Sequence, residues 1–181
     1  MTIMQQFHSR TPQLQTPRLV LSAHRAGDFP DLVEMWGDPA VVRFIGGRPF
    51  TPEEVWTRLL RAVGHWPLMG FGYWVVRERA GGRFVGEAGL ADFHRDITPP
   101  FDGAPEAGWA LAAWAHGKGF ATEAMAAVMG WSDAELKPER TVCMISPGNH
   151  ASMRVAEKCG FREEVRTAYR GEATIVFERR P

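Results

Sequence analysis

The chain reads as an α/β protein built on one mixed sheet with helices on both faces, and three observations predict it. The elements run strand, helix, helix, three strands, helix, strand, helix and two strands. Runs of strands interleaved with helices give such a layered sheet. Two glycine-bearing turns, Gly81-Gly82 and Arg170-Gly171, join extended runs as hairpins. At about 150 residues per domain, 181 residues make one fold rather than two.

Residues 1–13 are polar, contain Pro12 and show no period, so they are expected to form a loose arm before a single domain over 14–181. Arg18–Arg25 alternates as a strand, and Asp28 is placed to cap a short helix through Trp36, with Asp31 in its first turn. Thr51-Pro52-Glu53-Glu54 is a stronger start: a capping hydroxyl, a proline at the first helical position and a glutamate that reaches back. It predicts a helix over 52–63, with Val55, Leu59, Leu60 and Val63 on one side. Tyr73–Glu78 and Arg83–Phe93 are extended and antiparallel. The segment 94–105, with Pro99, Pro100, Gly103 and Pro105, is a loop.

Glu106–Leu111 is a short strand. From Lys118 to Leu136 apolar residues recur at 121, 124, 125, 128 and 131, a helical spacing. Thr141–Ser146 is a strand, Pro147-Gly148 ends it, and Asn149 caps a helix that Gly160 stops. Arg162–Tyr169 and Ala173–Arg179 are the last two strands, which brings the expected sheet to about seven.

Composition narrows the function classes. With 45% hydrophobic and 23% charged residues, the chain is neither disordered nor fibrous. Its 21 basic residues balance 21 acidic ones, so no global charge argues for nucleic acid or an anionic membrane. The start carries no apolar stretch of signal-peptide length, and no run approaches the roughly 20 residues of a membrane helix. Cys143 and Cys159 lack zinc spacing and sit at apolar periodic positions. The six histidines show no ligand spacing, so no metal site is expected and a reducing, cytoplasmic setting is.

The informative window is Glu106 to Met125. A strand ends in the turn Gly117-Lys118-Gly119 and a helix starts at once. Such a turn leaves backbone N–H groups unpaired at the positive end of a helix dipole, where glycine lets a diphosphate approach. Lys118 and Thr122 could add donors to the same anion. The window is neither a Walker loop nor a full dinucleotide fingerprint.

About thirty residues later come Asn149, Ser152, Lys158, Gly160 and Phe161. Together with His116-Gly117-Lys118-Gly119-Phe120-Ala121 they resemble two motifs of the GNAT superfamily of acyl-coenzyme-A-dependent N-acetyltransferases: Arg/Gln-x-x-Gly-x-Gly/Ala, and a helix reading Asn-x-x-Ser that ends Lys-x-Gly-Phe. The resemblance spans most of 14–180, includes Thr16-Pro17-Arg18-Leu19, and looks closest to the ribosomal-protein N-terminal acetyltransferase branch. His116 departs from the pattern, which usually has Arg or Gln there.

The resemblance implies a mostly antiparallel sheet that splays at its middle, with acetyl-coenzyme A as co-substrate in the splay. Its pantetheine arm would pair with main-chain groups near Ala110, Leu111 and Ala112, its diphosphate would rest on residues 116–122, and Asn149 and Ser152 would also contact it. Glu106 and Glu164 are the rival general bases, and Ser152 or Tyr169 the proton donor for the thiolate.

Direct acetyl transfer to a primary amine, of a protein N-terminus or a small molecule, is therefore expected. The alternative is a non-catalytic acyl-coenzyme A sensor. Arg43, Arg48, Arg58 and Arg61 around helix 52–63 could orient an acidic acceptor group, although such spacing more often gives a solvated face. An edge strand in the hairpin 162–179 could pair in a homodimer.

Overall fold

The computed structural model describes residues 11–181. Its strands are β1 (Leu14–Gln15), β2 (Leu19–Ser22), β3 (Tyr73–Glu78), β4 (Phe84–Ala91), β5 (Glu106–Leu111), β6 (Thr141–Ile145), β7 (Arg162–Tyr169) and β8 (Glu172–Arg179). They form one sheet in the order β1-β2-β3-β4-β5-β6-β8-β7. Every neighbouring pair is antiparallel except β5 and β6, which run parallel and meet at a single register pair, Glu106 with Val142. A parallel pair needs a crossover. Here α4 (Phe120–Trp131) supplies it. Beyond Glu106 the two strands separate, so the sheet opens toward Leu111 on one side and Ile145 on the other.

The strand period of two divides the core. Trp74 and Val76 join Leu19, Leu21 and the α4 residues Phe120, Ala124, Met125 and Val128 on one face. Val75 faces α1 (Phe29–Gly37) and α3 (Pro52–Met69), meeting Leu32, Met35, Trp36, Val55 and Leu59. Val85 and Ala88 both lie in the α4-side core, with a register irregularity between them and β3. That phase slip turns Glu87 toward α1, where its carboxylate accepts from the Trp36 indole at 2.8 Å.

Several expected elements change. The sheet has eight strands, because β1 pairs with β2 where irregular chain was expected to end. The Pro12 carbonyl already accepts from the Trp74 indole at 2.6 Å. The rest of the expected arm, residues 1–10, lies outside the described residues. Asp28 caps no helix amide of α1. Its carboxylate accepts from the Arg25 N–H at 2.7 Å and pairs with Arg77 at 2.8 Å.

A short helix absent from the sequence reading, α2 (Pro39–Val42), is capped by Asp38. The helix expected to end at 63 continues to Met69 through Pro67, because buried Trp66 packs edge-on to Trp74 and Trp131. Gly119 delays the start of α4 to Phe120, and a π-helical turn, Ser132–Leu136, finishes it. The last helix, α5 (His150–Lys158), follows its expected cap Asn149. Both cysteines are free thiols, and burial pushes the Cys143 thiol far up from its ordinary pKa.

Backbones approach closely at Gly89, where an added Cβ would lie 2.4 Å from the Tyr73 Cα and 2.5 Å from the Gly72 carbonyl. Gly64 in α3 has no such neighbour. Gly89→Ala is therefore expected to cost about 1–3 kcal/mol or more, and to lower Tm by about 2–4 °C per kcal/mol. Gly64→Ala should be neutral or stabilise by up to about 1 kcal/mol through helix propensity. Thermal unfolding of the two variants checks the contrast, and equal midpoints would contradict it.

Candidate active site

The turn before α4 has the expected cradle geometry. Gly117 and Gly119 sit at φ +74° and +79°, left-handed backbone that L side chains rarely adopt. The first helical bond runs from the Glu123 N–H to the Gly119 carbonyl at 3.1 Å. The N–H groups of Phe120, Ala121 and Thr122 consequently have no acceptor within the helix. The Phe120 ring itself is buried, so only its main chain faces outward. Lys118 is exposed and its ammonium lies 4.6 Å from the Trp114 ring centroid. The His116 ring folds back, with Nε2 bonded to the Leu111 carbonyl at 2.9 Å.

A latch missed in the sequence reading holds this turn. The Thr16 hydroxyl and the Arg18 N–H donate to one oxygen of Glu123 at 2.6 and 2.9 Å, and Arg18 Nε donates to the other at 2.6 Å. Arg18 Nη1 also donates to the Lys118 carbonyl at 3.0 Å. Although burial works against its charge, the Thr16 and Arg18 bonds hold the Glu123 carboxyl below the usual carboxylate range. Thr16-Pro17-Arg18-Leu19 thus ties the edge of the sheet to the cradle, about a hundred residues away in sequence.

The main-chain edge of β5 opposite the splay is occupied: the Ala112 N–H donates to the Val85 carbonyl at 2.9 Å, and Ala110 pairs with Glu87. Ladder alternation then turns the Trp109 and Leu111 main-chain groups toward the gap. Of the three residues expected to face a pantetheine arm, Leu111 therefore presents its N–H, while Ala110 and Ala112 face β4.

At the vertex of the splay lies Glu106, 6% exposed. Arg95, from the loop 92–105, grips both its oxygens, with Nη2 to Oε1 at 2.7 Å. The Arg95 guanidinium also lies 4.7 Å from the Phe93 ring and 5.0 Å from the Tyr169 ring. Glu106, Arg95 and the loop line a cavity of about 240 Å³. Above β5 an added Cβ on Gly108 would meet the Tyr73 hydroxyl at 2.0 Å, so Gly108 leaves room for the end of that side chain, while Gly89 admits the β3 backbone. Burial and the charge of Glu106 raise the Tyr73 pKa well above its ordinary value, which keeps the hydroxyl protonated.

Deeper in, Glu87 accepts from His24 at 2.5 Å and from Trp36. Despite full burial, these bonds and the charges of His24 and Arg58 hold its pKa below the usual range. Neither Tyr73, Glu87 nor Arg95 stood out in the sequence. The only hint was glycine at both 89 and 108, which reads as close backbone approach.

The other predicted residues scatter. Asn149 Oδ1 accepts from the Ser152 N–H at 3.1 Å, so Asn149 is the cap of α5, and no protein partner of the Ser152 hydroxyl is seen among the described residues. Phe44 lies 3.2 Å from where a Gly148 Cβ would stand, just beyond the end of β6. Glu164 is exposed at an irregular position of β7, the outermost strand. Three strand spacings, about 14 Å, separate β7 from β5. Tyr169, in contrast, joins Glu106 through Arg95.

A sheet splayed at one parallel pair, with a glycine turn and helix N-terminus beside the gap, defines the class of acyl-coenzyme A transferases. The Acetyltransferase (GNAT) domain family matches residues 18–162, and the chain belongs to it. Acetyl-coenzyme A is its co-substrate.

A structure of a GnaT-family acetyltransferase from Bordetella pertussis is 33% identical, with TM-score 0.82 over 93% of this chain and 99% of that one. The uncharacterised N-acetyltransferase p20 of Bacillus licheniformis is 25% identical over 155 residues, 83% of each chain. The uncharacterised protein YkkB of Bacillus subtilis is 28% identical over 111 residues, 61% of this chain and 62% of that protein.

Glu123→Gln should remove about 1.5–3 kcal/mol of charge-assisted bonding and weaken acetyl-coenzyme A binding by loosening the cradle. A carboxyl whose folded pKa is depressed stabilises fully above the ordinary range and loses that contribution as pH falls through the folded value. The stability gap between wild type and variant should thus be constant near neutrality and shrink in acid. Urea unfolding at both conditions measures it, and a gap that widens in acid would contradict the latch.

Proposed function

We propose that the protein is an N-acetyltransferase that moves an acetyl group from acetyl-coenzyme A to a primary amine, with Glu106 as general base. One observation carries the assignment: a buried carboxylate stands at the single point where β5 and β6 touch, facing a cavity. Bound in the splay, acetyl-coenzyme A supplies a thioester carbonyl open to attack and a thiolate that leaves.

Trp109 and Leu111 main-chain groups, with the amides of residues 117–122, hold that co-substrate. Arg95 occupies one lone-pair direction on each Glu106 oxygen and leaves the others free. Through these Glu106 takes the ammonium proton, directly or through one water. The amine nitrogen forms the new bond to the acetyl carbon, the carbon–sulfur bond breaks, and the thiolate receives a proton.

Ser152 is the proposed donor of that proton, since its hydroxyl has no competing partner among the described residues and it stands beside Asn149 at the start of α5. Tyr169 serves instead to seat Arg95. Glu164 lies too far from the vertex to act on the same amine. The same reading takes residues 14–181 as one acetyltransferase domain. Relatives of the same fold are described as acting on ribosomal L7/L12 and on spermidine, at 16% and 19% identity, so the fold itself leaves the acceptor class open.

Acetyl-coenzyme A, with ATP as control, should raise Tm by mass action. Amines should then release thiol. Glu106→Gln is expected to lower kcat by about 10²–10⁴ while keeping the acetyl-coenzyme A shift, and Glu164→Gln to leave kcat near wild type. Loss of turnover in Glu164→Gln but not Glu106→Gln would move the base to β7. A shift without any thiol release would favour the sensor reading.

A further inference from the structure

We infer that the acceptor carries a carboxylate beside its amine, and that Arg58 on α3 binds it. The inference rests on the transferase reading and extends it to the substrate class.

Arg58 is not part of a solvated face. Its guanidinium lies 3.9 Å from the Trp36 ring centroid and 5.1 Å from Phe50, and its Nε is buried with no hydrogen-bond partner among the described residues. Among the described residues no carboxylate comes within 4.0 Å of it. A buried donor of this kind is costly unless something accepts from it. Glu87 is within electrostatic reach, but its oxygens are taken by His24 and Trp36.

Two more guanidinium groups lie within the same reach. Arg61 and Arg95 both stack on Phe93, each 4.7 Å from the ring, and Arg95 is matched by Glu106. Tyr73, whose hydroxyl stands over β5, is also within reach of Arg58 and of Glu106, which joins the arginine to the vertex. The loop carboxylate Asp92 accepts from the His94 N–H.

The acceptor side therefore offers a flat guanidinium, pre-oriented on aromatic rings and without a direct ion-pair partner among the described residues, which is the geometry for bidentate carboxylate recognition. A polycation would bring like charge against Arg58 and Arg61.

The test uses the full chain with acetyl-coenzyme A and matched acceptors: L-methionine, L-glutamate and L-alanine, their α-amides, and spermidine. Thiol release gives kcat/KM, and Tm shifts in the presence of coenzyme A give binding where turnover is slow. The free acids should exceed their amides about ten- to hundredfold, with spermidine below both.

Arg58→Lys keeps the charge but loses the fork, and should raise KM for the acids about tenfold with kcat and the KM of acetyl-coenzyme A nearly unchanged. Arg58→Met should abolish the preference of acid over amide. Because Arg58 packs on Trp36, the acetyl-coenzyme A shift of each variant reports whether it is folded.

Amides or spermidine equal to the acids, in turnover or in binding, would overturn the inference while leaving the transferase intact. So would a discrimination that survives in Arg58→Lys and Arg58→Met. Absence of any acetyl-coenzyme A shift in wild type would instead remove the transferase reading beneath it.

Discussion

β5 and β6 touch at one residue pair, Glu106 with Val142, and the rest of the molecule is arranged around that contact. A continuous parallel ladder would satisfy every main-chain group along both strands and leave no slot. By parting after one pair, the strands keep polar edges that a ligand can complete. The parallel direction itself forces the chain out of the sheet after Leu111, and the crossover helix begins with an N-terminus beside the slot. The extended ligand site and the anion site are thus two products of one topological choice.

The two sides of the slot differ in what they present. Toward α4 the proposed binding groups are main-chain amides, fixed by two left-handed glycines and by the Thr16, Arg18 and Glu123 latch. Toward α1 and α3 they are charged side chains in a partly dry setting: Glu106 with Arg95, Glu87 with His24, and Arg58 on Trp36. A buried charge is tolerable only when paired. Most of these are paired within the protein, and the protein therefore spends fold constraints on them. Gly108 gives up a side chain so that the Tyr73 hydroxyl can stand over β5, and the phase slip near Gly86 turns Glu87 inward.

What could be read in the sequence follows that division. Thr51-Pro52-Glu53-Glu54 and Asn149 announced their helices because caps act within three residues. Gly117 and Gly119 announced the cradle because a left-handed turn demands glycine at the position itself. Asp28 misled, since a capping residue type was recruited by Arg77, 49 positions away. Pro67 likewise failed to end α3, because Trp66 anchors the last turns against Trp74 and Trp131. Local chemistry sets a preference that a distant buried contact can override.

The same reasoning explains why the co-substrate was legible and the acceptor was not. A ligand held by main-chain groups writes its requirement into glycine positions and helix starts, which keep their spacing in any sequence that binds it. A ligand held by side chains depends on which residues three separate segments bring together. Arg58, Phe93 and Arg95 lie on α3 and a proline-rich loop, with Trp36 on α1 beneath, and no period or motif relates them. The arginines around residues 52–63 looked like a solvated face because charge spacing along one helix says nothing about the ring that another helix places beneath it. Only the packing of α1 on α3 gives Arg58 a buried Nε that has no acceptor among the described residues.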